Sequence, residues 1–84
     1  MAKYRKKPVV IEAVQWTGDP EPMMEFLRTG KEFDVFYHAD HTLDIHTLEG
    51  KLTANPGDWI VKEIEGEFYT VRNDIFEKTY GLVE

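Results

Sequence analysis

The sequence predicts an α+β domain: a small antiparallel sheet of five to six strands, able to curl toward a barrel, with one helix in the N-terminal half and one short C-terminal helix. Three observations predict it. Short runs rich in Val, Ile, Thr, Tyr, Phe and Trp alternate with period two. Turn signals built on Gly, Pro and Asn separate those runs at short intervals. Two stretches alone carry apolar residues at helical spacing. The 84 residues contain no internal repeat or low-complexity tract and read as a single domain, 1–84.

Residues 3–16, KYRKKPVVIEAVQW, make the first expected strand, with Val9, Ile11 and Ala13 on one face and Val10, Val14 and Trp16 on the other. Apolar residues on both sides imply that both faces are covered at least in part. Thr17-Gly18-Asp19-Pro20 then reads as a turn into a helix, because Asp19 suits the N-cap and Pro20 the first helical position. Met23, Phe26 and Leu27 form its apolar stripe, and Gly30 is the expected stop.

Residues 33–38 alternate weakly, whereas residues 42–48 alternate well, with Leu43, Ile45 and Thr47 opposite Thr42, Asp44 and His46. Glu49-Gly50 reads as a tight turn into a strand over 51–54. Asn55-Pro56-Gly57-Asp58 is a strong turn signal, since Pro fixes one φ and Gly accepts a positive one. Residues 59–64 and 67–71 flank Glu65-Gly66, the expected two-residue loop of an antiparallel hairpin. Asn73 is the expected cap of a helix over 74–79, with Ile75, Phe76, Thr79 and Tyr80 on one side and Gly81 at its end.

Composition bounds the chemistry. Cys and Ser are both absent, which removes disulfides, thiolate metal sites and the two commonest nucleophiles. At this length the expected stability is about 4–13 kcal/mol, so there is little core to spare. No apolar run approaches the roughly 20 residues that cross a bilayer, and the basic start leads into a strand pattern and not a signal-peptide core. A soluble, cytoplasmic protein without membrane contact is expected. Lys3, Arg5, Lys6 and Lys7 supply four of the ten bases, leaving six bases against sixteen acids in the rest of the chain. So acidic a body repels nucleic-acid backbones, whose binding is driven by counterion release, and non-specific nucleic-acid binding is not expected. The basic cluster can cradle one small anion, but it reads more readily as a strand edge that resists sheet-to-sheet aggregation.

Two separated blocks carry a resemblance. PGDWIVKEIEGEFYTVRNDIFEKTY, residues 56–80, resembles the C-terminal signature of a family of short proteins encoded by tailed phages and prophages. KYRKKPVVIEAVQWTG, residues 3–18, resembles that family's start, including Glu12-Ala13 and Gln15-Trp16. The blocks agree in order and spacing and cover about half the chain. Where such relatives tend to read Pro-Cys-Lys-Pro, this chain has Thr70, Val71, Arg72 and Asn73, which keeps a basic residue and lacks the thiol. The resemblance implies an origin in a phage-infected or lysogenic bacterial host, an approximate fold and no assigned chemistry. By analogy with small phage proteins that counter host immunity by binding, it implies a non-enzymatic sponge for a nucleotide signal, either a cyclic oligonucleotide or a cyclic ADP-ribose derivative.

Such a ligand presents flat bases and phosphates, so its site needs aromatic faces and a few Arg or Lys donors. The candidate ligand-binding residues are Arg5, Trp16, Lys62, Tyr69 and Arg72, with no cofactor required. Each also has a plainer reading. Trp16 ends a strand and can serve in the core, Tyr69 alternates with core positions, and Arg72 can pair with Glu67 or Asp74 at the surface. Trp59 reads as a sheet-packing anchor, and Phe68, Phe76 and Tyr80 as core. A chain this small has little room for a pocket on the order of several hundred Å3, so the site is expected between protomers of a homo-oligomer.

Other constellations are weaker. His38, Asp40, His41 and His46 invite a metal reading, but two of them fall in an expected turn where polar residues are ordinary, and no metal site is expected. No glycine-rich phosphate loop is present. A second function of a different class fits the charge: an acidic inhibitor that docks on a host defence or nucleic-acid-processing protein. A small molecule as the bound partner separates the first reading from the second. A virion or assembly component is a third, disfavoured by the lack of heptads, collagen-like repeats or long polar arms.

Overall fold

The computed structural model describes residues 1–3, 10–29, 34–47 and 50–81. The chain order is β1 (Glu12–Gln15), α1 (Pro20–Leu27), β2 (Asp34–Tyr37), β3 (Leu43–Thr47), β4 (Gly50–Ala54), β5 (Trp59–Lys62), β6 (Phe68–Val71) and α2 (Asn73–Thr79). The expected α+β class, six antiparallel strands and two helices are all present. The strands form two three-stranded sheets, β1-β5-β6 and β2-β3-β4, and do not close into a barrel. A turn at residues 55–58 carries the chain from β4 in one sheet to β5 in the other. Its own groups are satisfied locally and by Trp16: Asp58 N donates to Asn55 O, Gly57 N to Trp16 O, and Trp16 N to Asp58 O. Gly57 has φ 99°, the left-handed value that the third position of a Pro-Gly turn demands.

The period-two alternation settles which face goes inward. In the β2-β3-β4 sheet, Val35, Ile45 and Leu52 lie side by side, as do Tyr37, Leu43 and Ala54, and these rows face the core. Asp34, His46 and Lys51, then Phe36, Asp44 and Thr53, make the outer rows. In the other sheet, Val14, Ile60 and Phe68 face the same core, where they meet Trp16 and the Met23, Phe26 and Leu27 stripe of α1. Burying each large side chain of this set is worth about 1.5–3 kcal/mol. Asp19 caps α1 as expected, its Oδ1 accepting from Glu21 N, and Pro20 is the first helical residue.

The opposite face of the first sheet has its own small apolar layer under α2. Val61 is fully buried there, and the Phe76 ring stacks on Trp59 at 4.0 Å with 7° between planes. The expectation that both faces of the first strand are covered is thereby explained: Val14 and Trp16 enter the main core, while Ala13 shares its row with Val61 and Tyr69.

Four local expectations are corrected. The first strand does not run over residues 3–16: β1 begins at Glu12 and ends at Gln15, with Val10, Ile11 and Trp16 outside it, where the pairing with β5 has run out. Asn73 is not the cap but the first residue of α2; Arg72 occupies the cap position and its side chain makes no cap bond. The Asn73 Oδ1 is instead taken by N–H donors from the sheet, Trp59 Nε1 at 2.9 Å and Gln15 Nε2 at 3.4 Å. The β5–β6 connection is longer than two residues, because Glu63 N still bonds Glu67 O, leaving residues 64–66 as the loop with Gly66 at φ 88°. Gly50 pairs with Thr47 and so belongs to β4 and not to a turn. The expectations for Arg5, Val9, Gly30, Phe33, Leu48 and Glu49 lie outside the described residues. No described helix is long and apolar enough to cross a membrane.

Candidate ligand groove

Lys62 is the last residue of β5, on the face turned toward α1. Its stem passes the Phe26 ring, with Nζ 5.9 Å from the ring centre, and Nζ donates to Thr29 Oγ1 at 2.8 Å. Thr29 Oγ1 in turn donates to Phe26 O at 2.7 Å, so its lone pairs are aimed at the ammonium. Two successive hydrogen bonds from the end of α1 therefore locate this cation. Its ion-pair partner is Glu12, the residue directly across the β1–β5 ladder, with Oε1 at 3.4 Å. The Lys62 side chain is 14% exposed and that of Glu12 is 69% exposed.

The ammonium lies in the wall of a groove of about 320 Å3 bounded by Val10 and Glu12 on one side, Thr29 at one end and the β5–β6 hairpin loop on the other side. The lips are apolar and open to solvent: Val10 is 72% exposed and Ile64 84%. Glu63 and Glu65 add carboxylates along the hairpin side. A cation on a largely covered stem, acceptor oxygens and two uncovered aliphatic groups thus share one concavity.

The other expected site residues do not join it. Trp16 is 2% exposed and sits in the main core, its Nε1–H donating to His41 O at 2.7 Å and its ring 5.7 Å from that of Tyr37. Neither ring face is open for stacking. Tyr69 leaves the sheet on the α2 side, opposite to Lys62, and its hydroxyl meets that of Tyr80 at 3.2 Å. Burial, then the Tyr80 hydroxyl and the charge of Glu63, push the Tyr69 hydroxyl up to about 12. Arg72 stands at the far end of the β5–β6 hairpin from the groove and reaches Asp74 Oδ2 at 3.1 Å in an exposed pair. Arg5 lies outside the described residues. Lys62 is the one described member of the expected set at the groove. No local pattern marks Glu12, Thr29, Val10 and Ile64 as site residues, because their meeting depends on β1 pairing with a strand some 50 residues away.

The histidines are engaged separately. His38 Nε2 lies 2.7 Å from Asp44 Oδ2, whose other oxygen accepts from Thr53 Oγ1 at 2.7 Å. The Thr53 hydroxyl and then His38 hold the Asp44 carboxyl below its ordinary value. His46 meets the Phe36 ring edge-on at 5.0 Å. His41 takes φ 70° in the β2–β3 turn, which places its carbonyl under the Trp16 indole. Among the described residues, the acidic group with ligand atoms close together is Glu63, Glu65 and Glu67, all within 4.8 Å, at the hairpin and not at the histidines.

No protein-family model, no curated protein and no solved structure matches the chain.

Proposed function

We propose that this chain is a non-enzymatic accessory protein of phage origin that binds a small nucleotide-type signal at the Lys62 groove and sequesters it inside the bacterial host. The observation that carries this reading is the Lys62 ammonium, held by Thr29 in a groove whose lips, Val10 and Ile64, are left uncovered. One phosphate pairs with the ammonium in a charge-assisted hydrogen bond. The carboxylates of Glu63 and Glu65 accept from ribose hydroxyls or a base amino group, and the aliphatic lips cover a base. The acidic rim favours ligands with one negative charge per nucleotide, the state of a phosphodiester, over polyphosphates. At about 320 Å3 the groove stands at the low end of small-molecule sites. A second protomer completes the enclosure, so sequestration is coupled to homo-oligomer assembly.

Native mass spectrometry of the purified protein with cyclic dinucleotides, cyclic trinucleotides and cyclised ADP-ribose tests this. A discrete oligomer retaining a nucleotide-sized adduct, lost on Lys62→Met and kept on Arg72→Ala, is expected. An unliganded monomer under every condition overturns it.

A second reading, an acidic inhibitor of a host protein, is favoured by the outer face of the β2-β3-β4 sheet. There Phe36 is 52% exposed in the row it shares with Asp44 and Thr53. Stoichiometric complex formation with a host defence protein, abolished by Phe36→Ser and indifferent to Lys62→Met, is the result that selects it.

A further inference from the structure

We propose that Glu12 is a built-in competitor for the Lys62 ammonium, occupying the position of the ligand's anion until a phosphate displaces it. The inference rests on the Lys62 groove being the ligand site and specifies how that site is held in the absence of ligand. Two kinds of contact meet at Nζ, and they differ in quality. The Thr29 Oγ1 bond is 2.8 Å long and is backed by the Thr29-to-Phe26 O bond, so it is part of the scaffold. The Glu12 contact, at 3.4 Å, exceeds the 2.7–2.9 Å of a charge-assisted hydrogen bond. It is a loose ion pair made by a mostly exposed carboxylate, the cheapest kind to break.

The geometry gives this pair its role. Glu12 and Lys62 are Cα partners across the β1–β5 ladder, so the carboxylate is tethered beside the cation and cannot diffuse away. It also lies on the groove side, since both residues line the same concavity. An incoming phosphate therefore replaces one anion by another. The ammonium keeps its bond to Thr29, and the Glu12 side chain swings into water. Because the competitor is tethered, it lowers the affinity of every anion at this position by the same factor.

The test is calorimetric titration of adenosine 3′,5′-cyclic monophosphate, a phosphodiester, and of inorganic phosphate into the wild-type chain, Glu12→Gln and Lys62→Met, with thermal melts to confirm folding. Glu12→Gln is expected to bind the cyclic nucleotide about two- to fivefold more tightly, the factor that an exposed ion pair withholds. Lys62→Met, which keeps an apolar stem over Phe26, is expected to lose binding. If the wild type binds and Glu12→Gln binds equally or more weakly, Glu12 is not a competitor and the inference fails while the groove stands. If neither the wild type nor Glu12→Gln binds either probe, the groove itself fails and takes the inference with it. Tightening of inorganic phosphate as well as the nucleotide places the effect at the anion position; tightening of the nucleotide alone overturns the anion-for-anion exchange.

Discussion

Asn73 Oδ1 accepts the indole N–H of Trp59 at 2.9 Å, tying the first residue of α2 to the first residue of β5. The same oxygen lies 3.4 Å from Gln15 Nε2, at the end of β1. One side-chain carbonyl thus connects three elements, and it does so where Phe76, one helical turn on, stacks on the Trp59 ring. This short helix buries none of its residues outright, so its docking depends on these few contacts.

Replacing Asn73 by Ala leaves the partly buried Trp59 and Gln15 donors without that acceptor. A loss of about 1–3 kcal/mol is expected in urea unfolding, with local fraying of α2 seen as faster amide exchange after residue 73. Asn73→Asp keeps an acceptor oxygen and places a negative charge in the first turn, so it is expected to recover most of the loss.

Gly57 separates backbone strain from packing. A Cβ built there meets nothing within 4 Å, so Gly57→Ala has no clash to relieve. Its φ of 99° is nevertheless one that L side chains rarely adopt. A cost of about 1–2 kcal/mol in denaturant midpoint analysis is expected. An unchanged midpoint shows that the turn relaxes to another type.

Tyr69 makes the alkaline limb of stability informative. Its hydroxyl titrates near 10 when unfolded and at about 12 in the fold, so the folded state binds its proton more tightly. The stabilisation is complete below pH 10 and is lost as pH rises through about 12. Ultraviolet titration of the four tyrosines is expected to show a phenolate forming near pH 12 that is absent from Tyr69→Phe. That variant is also expected to lose stability less steeply over the same interval.

At the acid end, Asp44 works in the opposite sense. Thr53 and His38 lower its carboxyl from 3.8, so its contribution is present above that value and disappears as pH falls through the lowered one. Thr53→Val removes the larger cause. Carbon-detected NMR titration of the Asp44 carboxyl is expected to show it moving back toward 3.8, with the acid unfolding midpoint moving up.

Where a reading depended on neighbours in sequence, it was legible. Asp19-Pro20 opens a helix because a short carboxylate and a fixed φ suit that position in any context, and Met23, Phe26 and Leu27 sit on one side of any helix. Leu43 and Ile45 alternate with Asp44 and His46 because the strand period is two. The turns at residues 55–58 and near Gly66 follow from the same local chemistry, apart from the exact loop length of the second.

Partner choice is a different problem, because many strands of like composition could pair and the hydrophobic effect is not directional. Only the tertiary structure decided that β1 pairs with β5, and with that came the Glu12–Lys62 pair, the Thr29 bond and the groove between them. It decided that Trp16 goes inside, because an indole N–H can be buried only where an acceptor awaits it, and that acceptor is a carbonyl in a turn 25 residues later. It also decided that six strands divide into two sheets. The sequence by itself determined the order and type of the elements, the inward faces of α1 and β3 and the acidic body; long-range contacts, which no local pattern encodes, determined where β1 begins and which charged and apolar groups share a surface.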